Sequence, residues 1–104
     1  MGEIVIDILP SLQEEIDRAD KKTQKLFKKQ KEFMTDCPNY PSLGRTKLEG
    51  VYDKYHAQLW EIRLNIKKRI MFVERDGGKR VIWLKIVDHD ELVRKNTIHA
   101  KGDY

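Results

Sequence analysis

An α+β domain is the fold class this sequence predicts: an N-terminal strand, one or two helices, a three-stranded antiparallel meander and a short C-terminal helix. Two observations carry that expectation. Gln58–Val73 and Arg80–His89 alternate apolar and polar residues with the period of two that sends successive side chains to opposite faces of a strand. Leu12, Ile16, Ala19, Thr23, Leu26, Phe27, Gln30, Phe33 and Met34 recur instead at helical spacing, as the sheet-facing stripe of a helix does.

Taken in order, Glu3–Leu9 is apolar and β-branched and reads as the first strand. Pro10 ends it, because proline cannot donate to a ladder. Ser11-Leu12-Gln13-Glu14 fits a capping box, in which the serine hydroxyl caps a free amide and the glutamate reaches back. The helical stripe then runs to Met34, as one helix or as two with a joint near Asp20–Thr23. Two prolines in Asp36-Cys37-Pro38-Asn39-Tyr40-Pro41-Ser42 stop it, and from there to Tyr55 the chain reads as loop.

In the meander, Trp60, Ile62 and Leu64 point one way and Glu61, Arg63 and Asn65 the other. Ile66-Lys67-Lys68 turns the chain back, after which Ile70 and Phe72 share one face and Arg69 and Met71 the opposite one. Asp76-Gly77-Gly78 supplies residues that accept positive φ, as a tight hairpin needs. In the third strand the alternation places Ile82, Leu84 and Ile86 on one side, with Val81, Trp83 and Lys85 on the other. Asp88-His89-Asp90-Glu91 reads as a further helix start, and Glu91–Ile98 as the short helix before a polar tail. The helices are expected to cover one sheet face. The other is expected to stay at least partly open and to carry Glu61, Arg63, Arg69 and Lys85.

At 104 residues the chain is expected to form one domain, 1–104. Its net charge of +4 is unevenly spread, which matters more than its size. Lys21, Lys22, Lys25, Lys28, Lys29 and Lys31 fall in one helical stretch, and Arg63, Lys67, Lys68 and Arg69 in another. Such clusters favour a polyanion, either nucleic acid or an acidic protein, unless the helix face is simply solvated. The single cysteine, Cys37, cannot form an internal disulfide and fits a cytoplasmic protein. No membrane span or signal peptide is expected. Neither is a metal or other cofactor, since His56, His89 and His99 have no ligand-type spacing.

Lys21–Met34, Pro41-Ser42-Leu43, Lys47-Leu48-Glu49-Gly50, Leu59-Trp60-Glu61-Ile62-Arg63 and Arg69-Ile70-Met71-Phe72 together resemble the RelE/ParE toxin superfamily. Members show a lysine-rich helix, a P-S-L … K-L-x-G segment, a W-E-L-R strand and an R-I-x-F strand, and these occur here in that order over nearly the whole chain. The resemblance implies the toxin of a type II toxin–antitoxin pair, with a cognate antitoxin as partner. The Trp60–Arg63 strand and the Asp88–Leu92 ending look closer to the RelE/HigB side, whose members cleave messenger RNA in the ribosomal A site. The alternatives are a ParE-like inhibitor of DNA gyrase or a catalytically inactive binding module of the same fold.

Metal-free RNA cleavage needs a base, an acid and cations that stabilise the phosphorane. Arg69 is the first candidate for phosphate stabilisation, because its guanidinium fork matches phosphate and stays charged. Arg63, on the same face of the adjacent strand, is the second cation. His89 is the proton-transfer candidate, matching a histidine that some members carry there, and Glu61 is its possible counterpart. Lys47, Lys67, Lys68, Lys85 and Tyr104 are candidate RNA contacts, with Tyr52, Tyr55 and Trp83 as platforms on which bases could stack. Each has a plainer reading: Arg69 and Glu61 as a cross-strand pair, His89 as a helix-start residue, Trp83 as packing.

Overall fold

A computed structural model describes residues 4–89 of the chain. Its elements are β1 (Val5–Ile8), α1 (Pro10–Asp17), α2 (Lys21–Asp36), β2 (Thr46–Tyr52), β3 (Gln58–Arg63), β4 (Lys68–Arg75) and β5 (Arg80–Asp88). The strands form one sheet in the order β1-β5-β4-β3-β2. β2 to β5 are joined antiparallel, while β1 lies parallel to β5 at the far edge. The α+β class is as expected. The short helix over Glu91–Ile98 lies outside the described residues.

One open alternative is decided and two local expectations are corrected. The helical region is two helices, with Asp20 capping the second by accepting a 2.8 Å hydrogen bond from the Thr23 amide. The capping box at Ser11–Glu14 does not form. The first helix begins two residues earlier than that box implies, at Pro10, whose fixed φ and missing N–H suit the first helical position, and Leu9 precedes it without a side-chain cap. The stretch after the helices is not all loop either, because Thr46–Tyr52 is an edge strand. Its pairing with β3 shifts register between Lys47 and Tyr52, and Gly50 takes φ +78°. That irregularity broke the alternation by which a strand is recognised.

Both helices lie on one face of the sheet. Leu12, Ile16, Phe27 and Met34 meet Leu43, Ile62, Leu64, Ile70, Phe72, Val81 and Trp83 in the main core. Trp83 is fully buried there, edge-on to Phe27 with ring centroids 5.1 Å apart, and its indole N–H donates to Met34 Sδ at 3.3 Å. It is therefore packing, not a platform for a base. The opposite face is less open than expected, since Leu48, Val51, Leu59, Met71, Val73 and Val87 form a second buried cluster on it.

The third strand of the meander explains how charge and apolar residues share that second face. β5 pairs Phe72 with Trp83 but Met71 with Lys85, so Leu84 is an extra, bulged residue. Before the bulge Val81 and Trp83 face the helices, and Ile82 joins Leu84 against the second cluster, the reverse of the expected phase. After it the phase switches. Ile86 returns to the helix side, and Lys85 and Val87 take the second face.

Candidate functional site

Register alone brings the charged residues together. Across β3 and β4, Arg63 is directly opposite Arg69 and Glu61 opposite Met71. Across β4 and β5, Arg69 is opposite Val87 and Met71 opposite Lys85. Directly opposed residues share a face, so Glu61, Arg63, Arg69 and Lys85 all lie on the second face, as the alternation predicted. His89 follows directly on the end of β5, its backbone N–H donating to the Lys67 carbonyl at 2.7 Å and its charge reaching the Glu61 carboxyl.

Arg69 is held more firmly than a free phosphate ligand would be. Its Nη1 donates to the carbonyls of Asn65 at 2.8 Å, Lys68 at 3.1 Å and Ile66 at 3.3 Å, and its Nε lies 3.3 Å from Glu61 Oε1. The last contact is an ion pair without hydrogen-bond geometry, so Glu61 Oε1 is buried with no donor aimed at it. Burial pushes the Glu61 carboxyl above its ordinary value, opposed by the positive charges of Arg69 and His89. Both side chains of the pair are only 12% exposed.

The turn that Arg69 grips is built by Asn65. Its side-chain oxygen accepts from the backbone N–H groups of Lys67 and Lys68 at 2.9 and 2.8 Å, which fixes the reversal between β3 and β4. Arg63 leans the other way. It is exposed, and a Cβ placed on Gly44 (φ +58°) would come 3.6 Å from Arg63 Cβ and 3.8 Å from its Nε. The two arginines thus share a face but reach toward different neighbours.

The other expected contacts divide. Lys85 lies on the site face, and Lys67 is exposed in the turn beside it. Lys47 does not lie there, because it is the register partner of Trp60 and so falls on the helix side. Lys68 is likewise on the Ile70 side, with its ammonium 2.8 Å from Asp88. Tyr104 lies outside the described residues. Tyr55 is exposed at the β2–β3 hairpin and borders a cavity of about 430 Å³ with Val73, Ile82, Leu84 and Lys85. Among the described residues no group of His, Cys, Asp or Glu could hold a metal ion.

Two polar residues with structural weight were not recognised in the sequence. Gln30 is buried on α2 and donates its side-chain N–H to the Arg63 carbonyl at 2.6 Å. Its long polar side chain in a mostly apolar stripe was the available signal. Arg45 lies over the Trp60 ring, 4.9 Å from its centroid, and pairs with Glu74, with burial lowering its affinity for its proton. In the sequence it was one cation within an apparent loop. It sits at the end of β4 away from Arg69, beside a cavity of about 630 Å³ bordered by Tyr40, Gly77 and Gly78.

The five-stranded sheet with two helices on one face, seen among the described residues, is a fold shared with solved toxins of the RelE and YoeB/ParE type. The archaeal RelE–RelB complex from Pyrococcus horikoshii OT3 contains a similar chain, with a TM-score of 0.66 at 18% identity over 83% of this chain and 94% of that one. The YoeB/ParE toxin from Agrobacterium tumefaciens is similar at a TM-score of 0.61 and 12% identity, over 83% of this chain and 99% of that one. No family model matches the sequence, and no curated protein matches it.

Proposed function

We propose that this chain is the toxin of a type II toxin–antitoxin pair and acts as a ribosome-dependent messenger RNA endonuclease. The observation that carries the reading is the buried Glu61–Arg69 pair, with Glu61 raised above its ordinary value and His89 and Arg63 exposed beside it. A raised carboxyl next to an imidazole is the pairing that proton transfer near neutral pH requires. The RNA 2′-oxygen attacks the adjacent phosphorus and the 5′-oxygen leaves, giving a 2′,3′-cyclic phosphate and a 5′-hydroxyl. One of Glu61 and His89 takes the 2′ proton, and the other protonates the leaving oxygen.

The charge on the phosphorane is met by Arg63 and by Arg69. The described contacts of Arg69 use Nε and Nη1, which leaves Nη2 to donate to a phosphate oxygen. Its three carbonyl contacts then serve to orient the fork before the substrate arrives. The fold shared with a RelE chain that is bound to RelB supports a cognate antitoxin as the partner of this one. A cytoplasmic location is part of the same proposal.

The test is translation in a cell-free system with intact ribosomes, followed by primer extension on the message. Addition of the chain should stop synthesis and leave discrete cuts that need the ribosome. Arg69→Ala should lower cutting by about 10²–10³-fold. Undisturbed translation, or DNA damage in cells with translation intact, overturns the reading in favour of a gyrase inhibitor.

A further inference from the structure

On the helix side of the sheet, past the C-terminal end of α2, Arg45, Tyr40, Trp60 and Glu74 border one cavity of about 630 Å³. That volume is in the range of small-ligand sites. Its walls are set before anything enters. The Arg45 guanidinium lies over Trp60 at 4.9 Å and over Phe72 at 5.7 Å, and it pairs with Glu74. Tyr40 stacks on Phe33 with ring centroids 4.5 Å apart and planes 20° from parallel. The residue is still 41% exposed, so ring surface remains for a second planar group. Pro38 and Pro41 stiffen the loop that carries it, and the Tyr40 N–H donates to the Cys37 carbonyl at 2.8 Å. A site already ordered binds without the entropy cost of ordering it.

The polar groups of the cavity select a ring. A guanidinium only donates and a carboxylate only accepts, and here the two stand side by side. A base that meets both must present an acceptor next to a donor. Guanine does so with O6 beside its N1–H, and its amino group gives the second carboxylate oxygen a donor as well. Adenine has the reverse order, an amino donor beside an acceptor nitrogen, and would set donor against donor. Uracil has the order of guanine but lacks the amino group and is a smaller ring to stack.

We propose that this cavity binds a guanine nucleotide, with the base stacked on Tyr40, Arg45 donating to O6 and Glu74 accepting from the N1–H and the amino group. Glu74 is five residues from Arg69 along β4, about 17 Å, and alternation puts it on the other face of the sheet. The site is thus separate from the Glu61–Arg69 pair and does not rest on the nuclease reading.

Calorimetric titration of the full chain with GMP, UMP and AMP is the test. Affinity should fall in that order, with AMP about tenfold or more below GMP, as loss of a good bidentate contact to a base implies. Tyr40→Ala should weaken GMP about tenfold, the effect of one stacking platform. Glu74→Gln keeps an acceptor for Arg45 but adds a donor, and should erase the preference for GMP over AMP. Should that variant fail to melt cooperatively, Tyr40→Ala carries the test, since its ring is partly in solvent. Arg69→Ala, on the opposite face, should bind GMP as the wild type does. The trinucleotide ApGpA separates two sources of the base: tighter binding of GMP assigns the site to a free nucleotide, and of ApGpA to a guanine within RNA, and both leave the guanine site standing.

No binding of GMP at millimolar concentration overturns the inference, and so does any other order among the three nucleotides. So would GMP binding that is lost in Arg69→Ala and kept in Tyr40→Ala, because the nucleotide would then sit at the Glu61–Arg69 pair. GMP binding through Tyr40 and Glu74 in a chain that cuts no message would sink the nuclease reading and leave this one in place.

Discussion

Gln30 Nε2 donates to the carbonyl oxygen of Arg63 at 2.6 Å, which ties the buried face of α2 to the last residue of β3. The β2 partner strand begins at Thr46, opposite Glu61, so beyond that point β3 has no ladder neighbour on this side. The glutamine amide fills that position, and a weaker contact to the Ser42 carbonyl at 3.4 Å draws in the preceding loop. Replacing it with methionine keeps the volume but leaves a part-buried carbonyl without its donor. Gln30→Met is expected to cost about 1–3 kcal/mol in chemical denaturation. It should also lower message cleavage in the wild type, with no further loss in an Arg63→Ala background.

The Glu61–Arg69 pair predicts a pH-dependent penalty. Removing the guanidinium leaves Glu61 buried beside the residual charge of His89, and its carboxyl then rises further. A carboxyl raised above its ordinary 4.5 makes the folded state bind the proton more tightly than the unfolded one. Stability then falls as pH rises from that value through the folded one. Arg69→Ala should therefore destabilise more at pH 8 than at pH 5, and Glu61→Gln in the same chain should abolish the difference. Melting temperatures of the two variants across that range check it. A pH-independent loss would show that the three carbonyl contacts of Arg69, not the ion pair, matter to the fold.

The bulge at Leu84 separates two deletions that look alike in sequence. Without Leu84, Phe72 still pairs with Trp83 and Met71 with Lys85, so both faces keep their residues. The loss should be close to that of burying one leucine, about 1.5–3 kcal/mol. Deleting Ile86 instead moves Val87 to the helix side and turns Asp88 into the second apolar cluster. That chain should not fold, and circular dichroism with thermal melting distinguishes the two.

Trp83→Ala removes the largest fully buried side chain, together with its edge contact to Phe27 and its N–H bond to Met34 Sδ. It should cost about 3–5 kcal/mol of stability. Any fall in RNA affinity should be no larger than the unfolded fraction explains. A specific loss of RNA binding in a fully folded Trp83 variant would contradict its place in the core.

Periodicity in the sequence was enough to establish the α+β class, the faces of β3 and β4 and the turn at Asp76–Gly78, because each depends on neighbours within a few residues. It placed Glu61, Arg63 and Arg69 on one surface for the same reason. Three things waited for the tertiary structure. The edge strand Thr46–Tyr52 was concealed by its own bulge, and the bulge at Leu84 inverts half of β5, since an extra residue is visible only against its partner strand. The positions of Lys47 and Lys68 away from the site follow from register with Trp60 and Asp88. Last, what Arg69 holds is decided by carbonyls of a turn that exists only once β3 and β4 have paired. Local pattern decides which way a side chain points; only pairing across the sheet decides what it meets there.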